Sequence, residues 1–416
     1  MNVLHVSNTD LMGGRFTGYY MQRSMNEADG HVEMAVWEKE SENPTVHQIG
    51  PSRPSLLWYL TAVIRRLDNW FALEGLTGLG SFIMPFKPYF RRADLLHLHL
   101  IYNRAFFSML AMPILSRLKP VVWTIHDCWP TSGMCVHTFN CERWLTGCKV
   151  KCPYPRGRSP LRYYTPAFHW LLKRMIYKHI DATLVVASKW MQDRVQRSPL
   201  LGNLPCHLIP FGIDLETFVP RPKAECRERL GIWPDQRVIV FRGVALENDR
   251  YKGMRWLKAA LTLYQPNKPT CLLILDDGRD FMSLWPKYRV INMGWVDGEQ
   301  LIDVLCAGDL FLMPSIQESF GLMAVESMAC GTPVVVLEGT SLPEVIKAPL
   351  GGVAVPSEDV VSLAGAIDRL LKDDDLRKKL GRQGRKIAEQ EYSLALYVER
   401  HLRLYEAVVE KHRRRR

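Results

Sequence analysis

The sequence predicts an α/β protein made of two doubly wound, parallel-sheet domains, and three observations predict it. Short apolar, β-rich runs alternate with helix-length segments throughout the 416 residues. These runs are continuous rather than alternately apolar and polar, which suits parallel strands buried on both faces. They fall into two series, separated by a proline- and turn-rich stretch from Pro210 to Pro222. Two successive βα series mean two doubly wound domains.

The first series is Val3–Val6, Met34–Trp37, Leu95–Leu100, Val121–Ile125, Thr183–Ala187 and His207–Ile209. The second is Val238–Phe241, Cys271–Leu275, Val290–Met293, Leu310–Met313, Val334–Leu337 and Val353–Val355. The expected division is 1–209, 210–391 and a terminal segment, 392–416. That segment reads as a helix from Leu394 to Lys411, with Leu396, Val398, Leu402, Leu404, Tyr405 and Val408 giving an apolar stripe, followed by a basic tail.

With 47% hydrophobic residues the composition is globular, not disordered. No window reaches the roughly 18 to 20 apolar residues that span a bilayer. The chain opens on a strand, MNVLHVSN, without a basic leader, so the cytoplasm is the expected location. Ten cysteines in that compartment argue against a disulfide framework. The net charge is +11. Basic and apolar residues gather at Trp58, Tyr59, Ile64, Arg65, Arg66, Trp70, Phe71, Arg91 and Arg92. Such material can lie on an anionic membrane surface. No nucleic-acid recognition motif accompanies the charge, so nucleic acid is not an expected partner.

The stretch from Ser315 to Val336, SIQESFGLMAVESMACGTPVVV, is the most specific. Leu322 to Ala329 is a good helix former, stopped by Gly331 and Pro333. Glu318 then lies in the loop before the helix and Glu326 just over one turn inside it. Between them, the N–H groups of Gly321, Leu322 and Met323 form a helix start that attracts anions. Two carboxylates beside it are suited to accept hydrogen bonds from hydroxyls, not to bind phosphate. An anion flanked by hydroxyls describes a nucleotide-sugar.

Glu318, seven residues, Glu326 and then Cys-Gly-Thr-Pro-Val resemble the donor-binding motif of retaining glycosyltransferases of family 4 (glycosyl transferases group 1). That family has the GT-B architecture, two Rossmann-like domains facing a central cleft. The segment PFGID from Pro210 also resembles its interdomain linker. The pattern HDCWPTSGMC…CERW…GC…CP, from His126 to Pro153, is similar to an exopolysaccharide-synthesis subgroup of the colanic acid type. The resemblance implies a final helix that crosses back onto the first domain.

It also implies roles, position by position. Gly13 and Gly14, in the first βα turn, would face the sugar-phosphate end of the donor. His126, just past a strand end, would contact the transferred hexose. Lys252 would bind the diphosphate, with Arg250 or Arg242 as the accompanying arginine. Glu318 would hold hexose hydroxyls and Glu326 the ribose, with Phe320, Gly321 and Leu322 lining the donor site. His99 shares a sheet face with His97, and with Asp127 it is assigned to the acceptor side. Catalysis rests on His126, Lys252 and Glu318.

Cys135, Cys141, Cys148 and Cys152 cluster within 18 residues, with His137 among them. A structural zinc site, clustered free thiols and a disulfide are the alternatives. No cofactor is expected for catalysis itself. The implied activity is hexosyl transfer from a nucleotide-diphosphate sugar to a carbohydrate or polyprenyl-linked acceptor, by an enzyme in peripheral contact with an anionic membrane. An epimerase of the same fold and a non-catalytic, membrane-attached scaffold are the rival readings.

Overall fold

The computed structural model describes residues 1–11, 13–14, 18–28, 30–51, 55–71, 73–102, 106–154, 161, 165–247, 249 and 251–415. The chain divides into two compact units. One comprises Met1–Ile209 and Tyr397–Arg416, the other Pro210–Leu396.

The first unit holds seven parallel strands: β1 (Asn2–Thr9), β2 (His31–Glu38), β3 (Val46–Gln48), β4 (Leu95–Leu98), β5 (Val121–Thr124), β6 (Ala182–Val186) and β7 (Cys206–Leu208). Their order is β3-β2-β1-β4-β5-β6-β7. The reversal of order beside β1 leaves a crevice at the carboxyl ends of β1 and β4, where α/β sheets bind ligands. The second unit holds β8 (Arg237–Gly243), β9 (Thr270–Asp276), β10 (Arg289–Gly294), β11 (Leu310–Met313), β12 (Val334–Leu337) and β13 (Gly352–Val355), ordered β10-β9-β8-β11-β12-β13. Here β8 and β11 flank the switch point.

Both sheets are buried through their central strands. Leu4, Val6, Leu96, Leu98 and Leu184 lie in the first core, and Ile239, Phe241, Leu272, Ile274 and Leu312 in the second. Each of the twelve apolar runs of the sequence is a strand. The thirteenth, β3, has three residues of which only Val46 is buried, too short to show as an apolar run.

The terminal helix spans Leu394–Arg415. Its buried face, with Tyr397, His401, Leu404 and Tyr405, carries polar groups as well as the apolar stripe. The Tyr405 hydroxyl lies 2.6 Å from His97 Nδ1 on β4 and 3.3 Å from His5 Nε2 on β1.

Candidate active site

In the second unit the loops after β8 and β11 meet. The first carries Lys252 and the second Glu318, and Lys252 Nζ donates to Glu318 Oε2 at 3.0 Å. The two side chains are 27% and 19% exposed, open enough for a ligand to reach both. Asp249 fixes the lysine's place. Its buried carboxylate accepts the backbone N–H of Lys252 at 2.8 Å and of Met254 at 2.5 Å, turning the loop into helix Met254–Leu263. Gly253, between them, has φ 73°, and a Cβ there would lie 2.0 Å from the Pro314 carbonyl oxygen. Only glycine permits that approach. On the other loop, the N–H and hydroxyl of Ser341 both donate to the Glu318 carbonyl, at 3.3 and 3.0 Å.

Helix Leu322–Ala329 begins at Gly321, whose φ is 91° and which no side chain caps. Its first N–H groups form an anion-attracting end beside the Lys252–Glu318 pair. Leu322 is half-buried there. Glu326 lies further along the helix and is fully buried, unlike Glu318. Phe320, assigned to the donor side, is buried. The residue is 2% exposed, and its ring sits edge-on to Phe211 and Tyr392, at 5.3 and 5.6 Å. Arg242 is occupied as well: its guanidinium pairs with Asp276 and lies 4.7 Å from the centre of the Trp295 ring. Arg250 lies outside the described residues.

In the first unit, the turn after β1 places Gly13 at φ 72° and closes through Gly14 N–H donating to the Leu11 carbonyl at 2.9 Å. Behind it stands a group of histidines. His5, His97 and His99 are buried, with the His97 and His99 rings 4.1 Å apart. His99 Nδ1 lies 3.4 Å from Nε2 of the half-buried His126. Burial pushes the imidazoles of His5, His97, His99 and His126 well below their ordinary pKa, so these rings are neutral near pH 7. A neutral ring can both donate to and accept from a hydroxyl. Asp127, assigned to the acceptor side, has both oxygens engaged. One accepts from the Trp129 N–H at 2.7 Å and the other from the Tyr102 hydroxyl.

The cysteine loop is held by Lys173, a buried lysine whose Nζ donates to the carbonyls of Trp129, Ser132 and Gly133 at 2.6, 3.0 and 3.0 Å. Cys148 accepts the Gly133 N–H at 3.3 Å. The proximity of Cys135 lowers the Cys152 thiol below its ordinary pKa. Among the described residues, the group of three ligating side chains whose donor atoms lie within 4.8 Å of one another is His5, His97 and His99, not the cysteines.

Sequence reasoning did not find Asp249, Ser341 or the partners of the histidine group. Asp249 had a local signal, an Asp four residues before a glycine that opens a helix. Ser341 lies 23 positions from Glu318 and had none.

The comparisons with known proteins agree with this architecture. Residues 35–217 match the family described as Glycosyltransferase Family 4, and residues 224–387 match Glycosyl transferases group 1. The chain therefore carries these two glycosyltransferase domains in succession. It is similar to a D-inositol 3-phosphate glycosyltransferase of Saccharomonospora viridis, 31% identical over 198 residues, which are 43% of this chain and 45% of that protein. It spans about half the length of the curated relatives it matches. Among solved structures it resembles the sucrose-phosphate synthase of Thermosynechococcus elongatus, with a TM-score of 0.71 at 20% identity, covering 99% of this chain and 100% of that one. It also resembles Anabaena Alr3699/HepE in complex with UDP-glucose, with a TM-score of 0.64 at 16% identity, covering 98% and 100%. At these identities the likeness is one of fold: the chain has the GT-B type of two Rossmann-like domains.

Proposed function

We propose that the protein is a retaining glycosyltransferase. It moves a hexose from a nucleotide-diphosphate sugar to a carbohydrate acceptor carried on a polyprenyl lipid, in bacterial surface or exopolysaccharide synthesis. The observation that carries the reading is the meeting of the Lys252 ammonium, the Glu318 carboxylate 3.0 Å away and the uncapped helix start at Gly321. The HepE structure of the same fold holds UDP-glucose, which agrees with this class of donor.

Transfer requires stabilisation of a departing diphosphate and of an oxocarbenium-like centre. Lys252 and the helix end supply positive charge where the diphosphate leaves. Glu318 accepts from hexose hydroxyls, which orients the sugar. Glu326 receives the ribose hydroxyls, and its burial makes it a demanding partner, since a buried carboxylate must be fully hydrogen-bonded. In the first unit, His126 stays neutral near pH 7, which suits it to a sugar hydroxyl. The leaving phosphate assists removal of the acceptor proton. The chemistry needs no bound cofactor, because these groups do the work of a divalent cation.

A donor screen by nucleotide release, with lipid-linked acceptors and with and without EDTA, tests the proposal. Acceptor-dependent release from one nucleotide-sugar, unchanged by the chelator, is expected. Failure with every donor would sink the transferase reading. Loss in EDTA, restored by magnesium or manganese, would argue for a metal-dependent site. Interconversion of the sugar without release would favour an epimerase.

Membrane contact belongs to the same proposal, because a polyprenyl-linked acceptor stays in the bilayer. Helix Leu56–Phe71 exposes Tyr59 (57%), Trp70 (63%) and Phe71 (44%), together with Arg65 and Arg66. Arg92 is less available, being paired with Glu33 at 2.7 Å. No helix among the described residues is long and apolar enough to cross a membrane. Flotation with anionic liposomes at low salt is expected to carry the protein, and Arg65→Glu with Arg66→Glu to reduce it, at about 1 kcal/mol per basic residue. Absence of flotation would point to a soluble acceptor. Zinc at the cysteine loop is a separate proposal, read by elemental analysis. About one zinc per chain supports it, and its absence with four titratable thiols removes it.

A further inference from the structure

The second unit carries a cavity of about 610 Å³ at the edge of its sheet opposite the candidate active site. Lys252 and Glu318 follow the carboxyl ends of β8 and β11. The cavity is lined instead by residues at the amino ends of the same strands, Arg237 opening β8 and Asp309 preceding β11. Of the eight lysines and arginines in its walls, Arg221 pairs with Glu299 and Asp303 and Arg385 with Glu389, which leaves six against the lining carboxylates Asp309 and Asp374.

Those carboxylates are oversubscribed. Asp309 is 4% exposed and accepts from Lys223 at 3.1 Å and Arg227 at 2.8 Å, with Arg377 at 3.9 Å and the Val238 N–H at 2.8 Å. Asp374 is shared between Arg237 and Arg377. Burial, and behind it the charges of Arg227 and Arg377, push the Lys223 ammonium below its ordinary pKa. Arg227 and Arg377 are themselves buried. Their outward neighbours on helix Asp374–Glu391 are Lys378 and Arg382, one turn apart, exposed and, among the described residues, without an ion-pair partner. The helix is held close because Gly381 packs on the Gly331 carbonyl, where a Cβ would approach to 2.2 Å.

Unneutralised cations in a concave, partly desolvated site attract anions strongly, and arginine forks match phosphate oxygens. We propose that this cavity is a second ligand site, which binds a small, multiply charged phosphate compound away from the site of transfer. Lys378 and Arg382 would receive the anion at the rim, with Lys223 and Arg227 behind them. The site stands independently of the glycosyl-transfer reading, since it uses none of the same residues.

Calorimetry with sodium tripolyphosphate at low salt tests it, in wild type, in the double variant Lys378→Glu with Arg382→Glu, and in Lys252→Ala. Among the described residues Lys378 and Arg382 make no ion pair, so the double variant should keep the wild-type melting temperature. Its affinity is expected to fall by about tenfold to a hundredfold, the range for lost charge-assisted hydrogen bonds, while Lys252→Ala retains binding at the cavity. Equal affinity in wild type and the double variant would overturn the proposal. So would binding that is lost entirely in Lys252→Ala. Flotation of wild type and the same double variant with phosphatidic acid vesicles separates the sources. Flotation that depends on Lys378 and Arg382 assigns the phosphate to a lipid headgroup, and tripolyphosphate binding without it assigns a soluble compound.

Discussion

Lys252→Ala is expected to lower turnover by about 10²-fold or more and to leave the melting temperature close to wild type. The two halves of this expectation have different origins. The lysine's bond to Glu318 joins side chains that are 27% and 19% exposed. A partly exposed pair contributes about 0–1 kcal/mol to stability, and Asp249 holds the loop through backbone N–H groups that the substitution leaves in place. In the reaction the same ammonium faces a diphosphate whose charge grows as the glycosidic bond breaks, so its contribution is greatest in the transition state. Lys252→Arg should recover part of the rate, since the charge remains but the compact donor does not. Single-turnover nucleotide release at saturating donor is the measurement. Transfer by Lys252→Ala at a near wild-type rate would exclude the lysine from the site. A large drop in melting temperature would instead make its role structural.

Much of this arrangement is legible in the sequence because parallel strands are buried on both faces and so appear as uninterrupted apolar runs. The runs Leu310–Met313 and Val334–Leu337 are strands with those same ends. The helix before the second of them was legible from its stop signals, Gly331 and Pro333. What escaped the sequence depends on pairs distant along the chain. Nothing near His97 announces that Tyr405, 308 positions away, will meet its ring, or that His5 will be the neighbour of both. The motif also did not reveal which of its residues point inward. Phe320 stands between the polar Gln317-Glu318-Ser319 and Gly321 and reads as a ligand contact, yet Phe211 and Tyr392 lie against its ring. Arg242 likewise reads as a free cation until Asp276, at the end of the neighbouring strand, is seen to occupy it. Charge type is local information, whereas availability is decided by tertiary partners.

Gly253→Ala should be the most damaging single methyl group in the second unit. The glycine has φ 73°, a conformation that costs a residue with a Cβ roughly 1–2 kcal/mol. The added carbon would also sit 2.0 Å from the Pro314 carbonyl oxygen, where real contacts stay beyond 3.0 Å. Backbone must therefore move by about 1 Å, the loop after β8 away from the loop after β11, and overpacking of this kind adds about 1–3 kcal/mol. Lys252 is the preceding residue on one loop, and Glu318 is four positions after Pro314 on the other. Separating the loops opens the Lys252–Glu318 pair, and a displacement near 1 Å in a catalytic constellation can cost about 10²-fold in rate. Gly231→Ala supplies the comparison, since Gly231 has φ 64° but no atom within 4 Å of its missing Cβ. It carries the conformational cost without the collision, so it should lose about 1–2 kcal/mol and transfer at the wild-type rate. Denaturant midpoints and turnover of the two variants, measured side by side, decide the matter. If they lose the same stability and both keep full activity, the close approach of Gly253 to Pro314 does not hold the lysine in place.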